Sequence, residues 1–278
     1  MSSSEELKGL RRARQGGGTT AALRLRSLNS SLDVLEAVSE AGPNVGVSEL
    51  SRILGLSKAT VHVILANLCQ RGYVIKDPVT ARYRPGLKAW EVGMVAIDSL
   101  ELPAIARPQL QQLADRTGET SHLAVYSEGE VLYLAKVASL NPVQAYTRVG
   151  GRAPAYCVAT GKALLAYESA PELDRLCATG LHPYTPLTIT TAEGLREELA
   201  AVRSLGVAIN RGEWRQEVIG VAAPIRDHHG EVVAAVGLSG PAYRFSVERA
   251  IALGGDVRVA ADTISFGLGH GRAKQAAG

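Results

Sequence analysis

Cysteine is scarce in this chain: Cys69, Cys157 and Cys177 are its only three. Three thiols so widely spaced provide neither a disulfide framework nor zinc-ligand spacing. No run of about 18 uncharged apolar residues occurs, so no segment reads as a membrane span. The N-terminal stretch carries Ser and charged residues but no apolar core, and does not read as a secretory leader. Together these absences predict a cytoplasmic protein with reduced thiols and no membrane partner. No repeat of fixed period is visible. Lysine is sparse beside alanine and arginine, a composition typical of a GC-rich bacterial genome.

What is present divides unevenly. With 278 residues the chain exceeds what one core needs, so two domains are expected. The net charge of +3 is concentrated at one end: residues 1–100 hold 13 basic against 9 acidic residues, and the remainder 17 against 18. A basic N-terminal part suits phosphate attraction, and a near-neutral remainder suits a small-molecule or protein role. Residues 1–24 are rich in Ser, Arg and Gly, without apolar periodicity, and read as a disordered tail. Residues 271–278 read as a second tail.

Residues 45–84 have the layout of a winged helix-turn-helix. Val47, Leu50 and Leu54 share one helical face, Gly55-Leu56 turns the chain, and Ser57 is placed to cap a second helix. That helix sets Val61, Ile64, Leu65 and Leu68 on an i, i+3, i+4, i+7 stripe. A first helix carries Leu28, Leu32, Val34, Leu35 and Val38 and stops at Gly42-Pro43. Tyr73–Lys76 and Arg82–Arg84, around a turn at Asp77-Pro78, read as the wing. The domain is expected over 25–86, followed by a linker helix over 87–102 that Pro103 stops. That helix carries Trp90, Met94, Val95 and Ile97, either a dimer seam or packing on its own domain.

With the stripe turned inward, roughly 18 Å of helix over Ser57–Leu68 is left to cross a DNA major groove. Ser57 and Lys58 are placed for phosphates, and Thr60 and His62 for base edges. Ala59, Val63 and Asn67 share the outer side, Ser48 opens the preceding helix, and Arg82 and Arg84 on the wing reach the flanking backbone or minor groove.

Residues 103–270 predict an α+β domain, an antiparallel sheet flanked by helices. Strands are expected at 121–127, 131–137, 143–149, 207–210, 218–225 and 232–238. Helices are expected around Leu110 and Leu113 ending at Gly118, over 158–167, from a Thr190/Glu193 capping box to Leu205, and from Ser246 to Phe266.

The order of these parts resembles the IclR family of bacterial transcriptional regulators across about residues 25–270. The resemblance is carried by Val47-Ser48-Glu49-Leu50, Gly55-Leu56-Ser57-Lys58-Ala59-Thr60-Val61-His62 and Gly72-Tyr73-Val74. It continues in Gly150-Gly151-Arg152-Ala153-Pro154, Ala159-Thr160-Gly161-Lys162-Ala163-Leu164-Leu165-Ala166, Arg211-Gly212-Glu213, Gly220-Val221-Ala222-Ala223-Pro224-Ile225 and Leu238-Ser239-Gly240-Pro241. It implies a winged helix-turn-helix, a linker helix and a GAF-like effector domain. It also implies dimers, or dimers of dimers, on pseudo-palindromic double-stranded operators. Relatives often carry Arg where Val63 stands, which removes a guanine or phosphate contact; Val63 is left to meet a thymine methyl or to pack on a neighbour.

The positions that match the family's effector-binding residues are Ala159, Thr160, Asn210, Val218, Gly220, Gly237 and Ser239. A helix-entry turn offers backbone N–H groups to an anion, and Asn210 and Ser239 offer side-chain hydrogen bonds. Relatives that bind small keto acids have polar side chains where Gly220 and Gly237 stand. Their loss enlarges the cavity toward a larger effector, an aromatic acid or derivative near Tyr146 or Tyr156, unless these are strand glycines at close backbone packing. The implied function is a repressor of a catabolic operon released by such an acid; an activator of the same build, or a DNA-binding oligomer with no effector, is the alternative.

Catalysis, a cofactor and a metal are not expected. His228-His229 follow Asp227 on a turn, where adjacent side chains point apart and no third ligand is spaced to help. Gly161-Lys162 lacks the first glycine of a phosphate loop, which would fall at Tyr156, and Gly237-Leu238-Ser239-Gly240 is not a nucleophile elbow. Cys157 reads as a small buried hydrophobe rather than a redox thiol, and Lys162 as a solvated helix position rather than an effector contact.

Overall fold

The computed structural model describes residues 25–42, 44–98, 101–143 and 147–271, excluding the side chains of 94–98. Both predicted tails, except Gly271, and Tyr146 lie outside the described residues. The chain divides into two compact units, Met1–Ser99 and Leu100–Gly278.

The first unit contains α1 (Arg26–Glu40), α2 (Val47–Leu54), α3 (Lys58–Gln70), β1 (Val74–Lys76), β2 (Tyr83–Pro85) and α4 (Leu87–Asp98). Its core gathers Val34, Val38, Val45, Leu50, Val61, Leu65, Val74 and Tyr83. The α2 and α3 stripes are as expected, with Leu50, Val61 and Leu65 buried and Val47, Leu54, Ile64 and Leu68 packed partly against them. Gly55 makes the turn with a left-handed backbone, φ 67°, which suits a residue without Cβ. In α1 the expected stripe is corrected. Its buried residues, Val34, Ala37 and Val38, all lie in the second half, while Leu28 and Leu32 near its start are about half exposed. The wing pairs antiparallel with Ile75 opposite Arg84, and Val45 exchanges two backbone hydrogen bonds with Tyr83 to extend it.

The second unit is a six-stranded antiparallel sheet, in the order β5 (Arg152–Pro154), β4 (Glu130–Val137), β3 (Thr120–Ser127), β8 (Val232–Pro241), β7 (Val218–Arg226) and β6 (Ala208–Asn210). One face is covered by α5 (Glu101–Thr117), α9 (Val247–Ala252) and α10 (Gly254–Gly267) over a core that includes Leu123, Val221, Ile225, Leu238, Phe245 and Ile264. The other carries a 3-10 turn (Ala155–Cys157), α6 (Ala159–Leu165), α7 (Ala170–Ala178) and α8 (Ala192–Leu205) over a separate core.

Several boundaries differ from expectation for physical reasons. Pro103 does not end a helix; it lies in the first turn of α5, where its missing N–H has no partner to lose. No strand forms in the described part of 143–149, and the edge strand falls instead at Arg152–Pro154, paired to Glu130–Leu132. Thr191, not Thr190, caps α8, accepting from the Gly194 N–H at 3.2 Å. The short helix α7, capped by Ser169, was not anticipated. Leu253 interrupts what was expected as one helix after the Ser246 cap, giving α9 and α10.

Candidate functional site

In the first unit the outer side of α3 is open. Ser57, Lys58, Ala59, Thr60, His62, Val63 and Asn67 are all exposed, as are Ser48 on α2 and Arg82 and Arg84 on the wing. Hydrogen bonds sort these candidates. Ser57 Oγ accepts from the Thr60 N–H at 3.1 Å and lies 2.8 Å from Thr60 Oγ1, so both hydroxyls are engaged in the helix cap. The Asn67 amide donates back to the Val63 carbonyl at 2.8 Å, and Arg82 donates to the Asn44 carbonyl at 2.7 Å, bracing the wing. Ser48, Lys58, His62 and Arg84 are the exposed polar candidates whose side chains make no such contact.

In the second unit, register brings distant strand positions into rows. Asn210 faces Gly220, Gly220 faces Ser239, and Ser239 faces Thr120. The neighbouring row on the same face runs Ala208, Ala222, Gly237 and His122. Small side chains along these rows let α6 lie flat on the sheet, and all seven of its residues are buried. Gly161 is obligatory there, because a Cβ would sit 2.1 Å from the Ala155 carbonyl oxygen.

Beside the start of α6 is a cavity of about 410 Å³. Ala159, Asn210, Val218, Gly220 and Ser239 line it, together with His122, Tyr133, Trp214, Arg215 and Glu217, which the sequence reading missed. Val143 and Thr147, on either side of the undescribed segment containing Tyr146, also line it. Thr160 and Gly237 are not among the lining residues. A Cβ at Gly237 would lie 2.7 Å from the Val221 carbonyl oxygen and 3.3 Å from Thr160 Cγ2, so this is a close-packing glycine and does not enlarge the cavity. Gly220 does face it.

The polar groups around the cavity divide into satisfied and open ones. Asn210 is spent: its Oδ1 accepts from the Gly212 and Glu213 N–H groups at 2.9 and 3.2 Å, and its amide donates to the Val218 carbonyl at 3.2 Å. It shapes the 210–218 loop and does not offer the free hydrogen bond expected of it. Among the described residues, three buried side-chain atoms have no hydrogen-bond partner: His122 Nδ1, Thr160 Oγ1 and Ser239 Oγ. Burial lowers the His122 imidazole to about 4, against a backbone hydrogen bond at Thr120 that raises it and with the nearby Lys136 ammonium lowering it further, so the ring is neutral at pH 7. Burial likewise pushes the Tyr133 phenol up to about 12. Arg215 stacks over the Trp214 ring at 5.1 Å.

Lys162 is neither solvated nor an effector contact. It is fully buried, and its Nζ lies 2.7 Å from Glu198 Oε1 and 2.7 Å from Glu213 Oε1. Glu198 also meets Arg211 at 3.1 Å, and the Arg211 N–H donates to Glu213 Oε2. The network ties α6 and α8 to the loop that carries Trp214 and Arg215. Tyr156 is also corrected: its hydroxyl donates to the His182 carbonyl at 2.9 Å and it does not line the cavity. Cys157 is buried, and burial raises its thiol well above the ordinary value. The His228 and His229 rings do not point apart; their centroids are 3.8 Å from each other. Among the described residues no cluster of three or more His, Cys, Asp or Glu could hold a metal, and no single helix is long and apolar enough to cross a membrane.

Comparison with known proteins matches both units. Residues 27–78 match the IclR helix-turn-helix domain, and residues 94–266 the bacterial transcriptional regulator IclR C-terminal domain. The chain is 33% identical over 216 residues to the HTH-type transcriptional regulator XynR of Escherichia coli, covering 77% of this chain and 86% of that one. It is 31% identical over 249 residues to the transcriptional repressor IclR of the same organism, covering 88% and 91%. Among solved structures, an IclR homolog from Microbacterium hydrocarbonoxydans complexed with 4-hydroxybenzoate aligns at TM-score 0.77 and 27% identity, covering 89% of this chain and 99% of that one.

Proposed function

The chain belongs to the IclR family of bacterial transcriptional regulators, and from that premise we propose that it is a cytoplasmic repressor released from its operator by a small organic acid of aromatic size. The observation that carries the proposal is the cavity of about 410 Å³, whose lining includes His122 and Ser239, each with a buried side-chain atom that has no hydrogen-bond partner. That volume falls within the range of small-molecule sites, about 300–1,000 Å³, and unsatisfied buried polar atoms are rare unless something binds to them. The rings of Tyr133, His122 and Trp214 suit a planar ligand, and Arg215 suits its carboxylate. The 4-hydroxybenzoate complex of the Microbacterium relative supports the same class of effector.

At the DNA end, Lys58 and Arg84 hold phosphates and His62 reads a base edge, with Val63 presented toward the groove. Two-fold pairing of recognition helices requires a homodimer, or a dimer of dimers, on a pseudo-palindromic site whose half-sites are separated by multiples of a helical turn. Effector binding favours a dimer arrangement that no longer fits the site, a coupling between two ligands of one protein. The test is a gel shift on DNA flanking the protein's own gene, with aromatic and short-chain acids added. Release by an aromatic acid supports the proposal. Release by glyoxylate or pyruvate alone contradicts the effector class, and stronger binding with acid contradicts the direction of control.

A further inference from the structure

We infer that α3 reads thymine by its C5-methyl group, through Val63 with Ala59 and Ala66 beside it, so that each half-site carries a thymine at the base pair Val63 meets. The inference rests on the reading of α3 as the helix laid in the major groove, and names what its central face recognises there.

The placement follows from helix geometry. Successive residues turn by about 100°, which puts Ala59, Val63 and Ala66 within about 60° of one another and about 180° from the centre of the core stripe. That stripe is in place: Val61 and Leu65 are fully buried, and Ile64 and Leu68 pack against the same core. Ala59, Val63 and Ala66 are exposed, so the side of α3 aimed straight away from the domain carries methyl groups and no polar side-chain atom. His62 and Lys58 flank this line on one side, Asn67 and Thr60 on the other. Two of these neighbours are drawn back onto the helix, Thr60 into the cap with Ser57 and the Asn67 amide to the Val63 carbonyl. Val63 itself is 60% exposed, the large apolar side chain of α3 that stays in water.

An apolar face discriminates between base pairs in one way. Major-groove edges present hydrogen-bond donors and acceptors, and thymine alone adds an apolar group, its C5-methyl. A polar edge pressed against Val63 loses water and gains no partner. A methyl in the same place removes apolar area from water on both molecules. 5-Methylcytosine carries that group at the same ring position, so it satisfies Val63 where cytosine does not.

The full chain is used to select its site from a pool of random duplexes. Each thymine of the selected half-site is then replaced singly by deoxyuridine, which removes the methyl and keeps the pairing edge and the O4 acceptor. Anisotropy titration should show affinity falling about fourfold at one or two thymines of each half-site, the factor for one buried methyl. Val63→Ala keeps the carbonyl that Asn67 uses, and its thermal unfolding should match the wild type. In that variant one of these uracil penalties should vanish. The penalty should be the same at low and high salt, because a methyl contact releases no counterion. Cytosine in place of that thymine should weaken binding, and 5-methylcytosine should recover part of the loss. A selected half-site without thymine, or a uracil scan without any penalty, overturns the inference. So does a penalty undiminished in folded Val63→Ala, which would trace the methyl's effect to duplex shape. If Lys58→Ala and His62→Ala still weaken binding to the selected site in those cases, the DNA-binding reading stands and only this inference falls. A chain that selects no site and binds no duplex at low salt fails that reading itself.

Discussion

Replacing Lys162 by Met separates the buried ion network from ordinary packing. Met has a similar length and no charge. The change removes two 2.7 Å contacts from Lys162 Nζ and leaves Glu213, 3% exposed, without its cation. Glu198 keeps only Arg211, at 3.1 Å and nearly half exposed. Removing one partner of a buried pair costs about 3–5 kcal/mol, because the remaining charge is stranded. At about 2–4 °C per kcal/mol for a domain of this size, the melting point of the second unit should fall by roughly 6–20 °C. Urea unfolding at pH 7 gives the free energy directly. Trp214 fluorescence in a Trp90→Phe background reports on the second unit alone.

The pH dependence supplies a second check. Burial pushes the Glu198 carboxyl up, but the Lys162 ammonium and the Arg211 guanidinium together outweigh it and hold the group below its ordinary value. A carboxyl lowered in the folded state stabilises above its unfolded pKa and loses that contribution as pH falls through its folded value. The difference between wild type and Lys162→Met should therefore be largest near neutrality and shrink in acid. A loss below about 1 kcal/mol at pH 7, or a difference that widens in acid, would refute the claim that a dry ion network holds the 210–218 loop.

Five further outcomes are expected. Lys58→Ala should weaken binding to every DNA sequence and lower the slope of log K against log salt by about 1, whereas His62→Ala should cost about 1–3 kcal/mol on the specific site only; titrations at several salt concentrations measure both. Ser57→Ala removes the cap on the Thr60 N–H and should destabilise the first unit by about 1 kcal/mol in denaturant unfolding. Gly161→Ala places a Cβ 2.1 Å from the Ala155 carbonyl oxygen and should abolish cooperative unfolding of the second unit in calorimetric scans. Tyr156→Phe removes the hydrogen bond to His182 and should cost about 1 kcal/mol of stability while leaving acid affinity unchanged, since Tyr156 does not line the cavity.

The helix-turn-helix was readable because its signals are local. The Val47, Leu50, Leu54 stripe, the glycine turn and the Ser57 cap each fall within a few residues of one another. Leu28 and Leu32 misled because apolar spacing marks a face without saying whether another element covers it. In the second unit, the hairpin of β3 and β4 is marked by strand alternation around Glu128-Gly129-Glu130, and that of β7 and β8 by Asp227–Gly230. The three-residue edge strand carried too little pattern to place. Tertiary placement decided the remaining positions. Lys162 looks like a surface residue until Glu198 and Glu213, 36 and 51 residues later, close on it. His122 becomes a cavity residue only through its register with Gly237, although a histidine between Ser121 and Leu123 in a strand was a usable signal. Motif resemblance located Ala159, Gly220 and Ser239 at the cavity but could not show that the Asn210 side chain is consumed by its own loop.

Ligand-sensitive DNA binding is the central claim, and one titration addresses it most directly. A labelled duplex from the region flanking the protein's own gene is titrated with the protein at several salt concentrations, with and without 4-hydroxybenzoate, and followed by fluorescence anisotropy. The account predicts tight binding that weakens with salt, is lost in a Lys58→Ala, His62→Ala double variant, and is released by the acid in the wild type. Equal binding by the double variant, or no binding to any duplex at low salt, would contradict it.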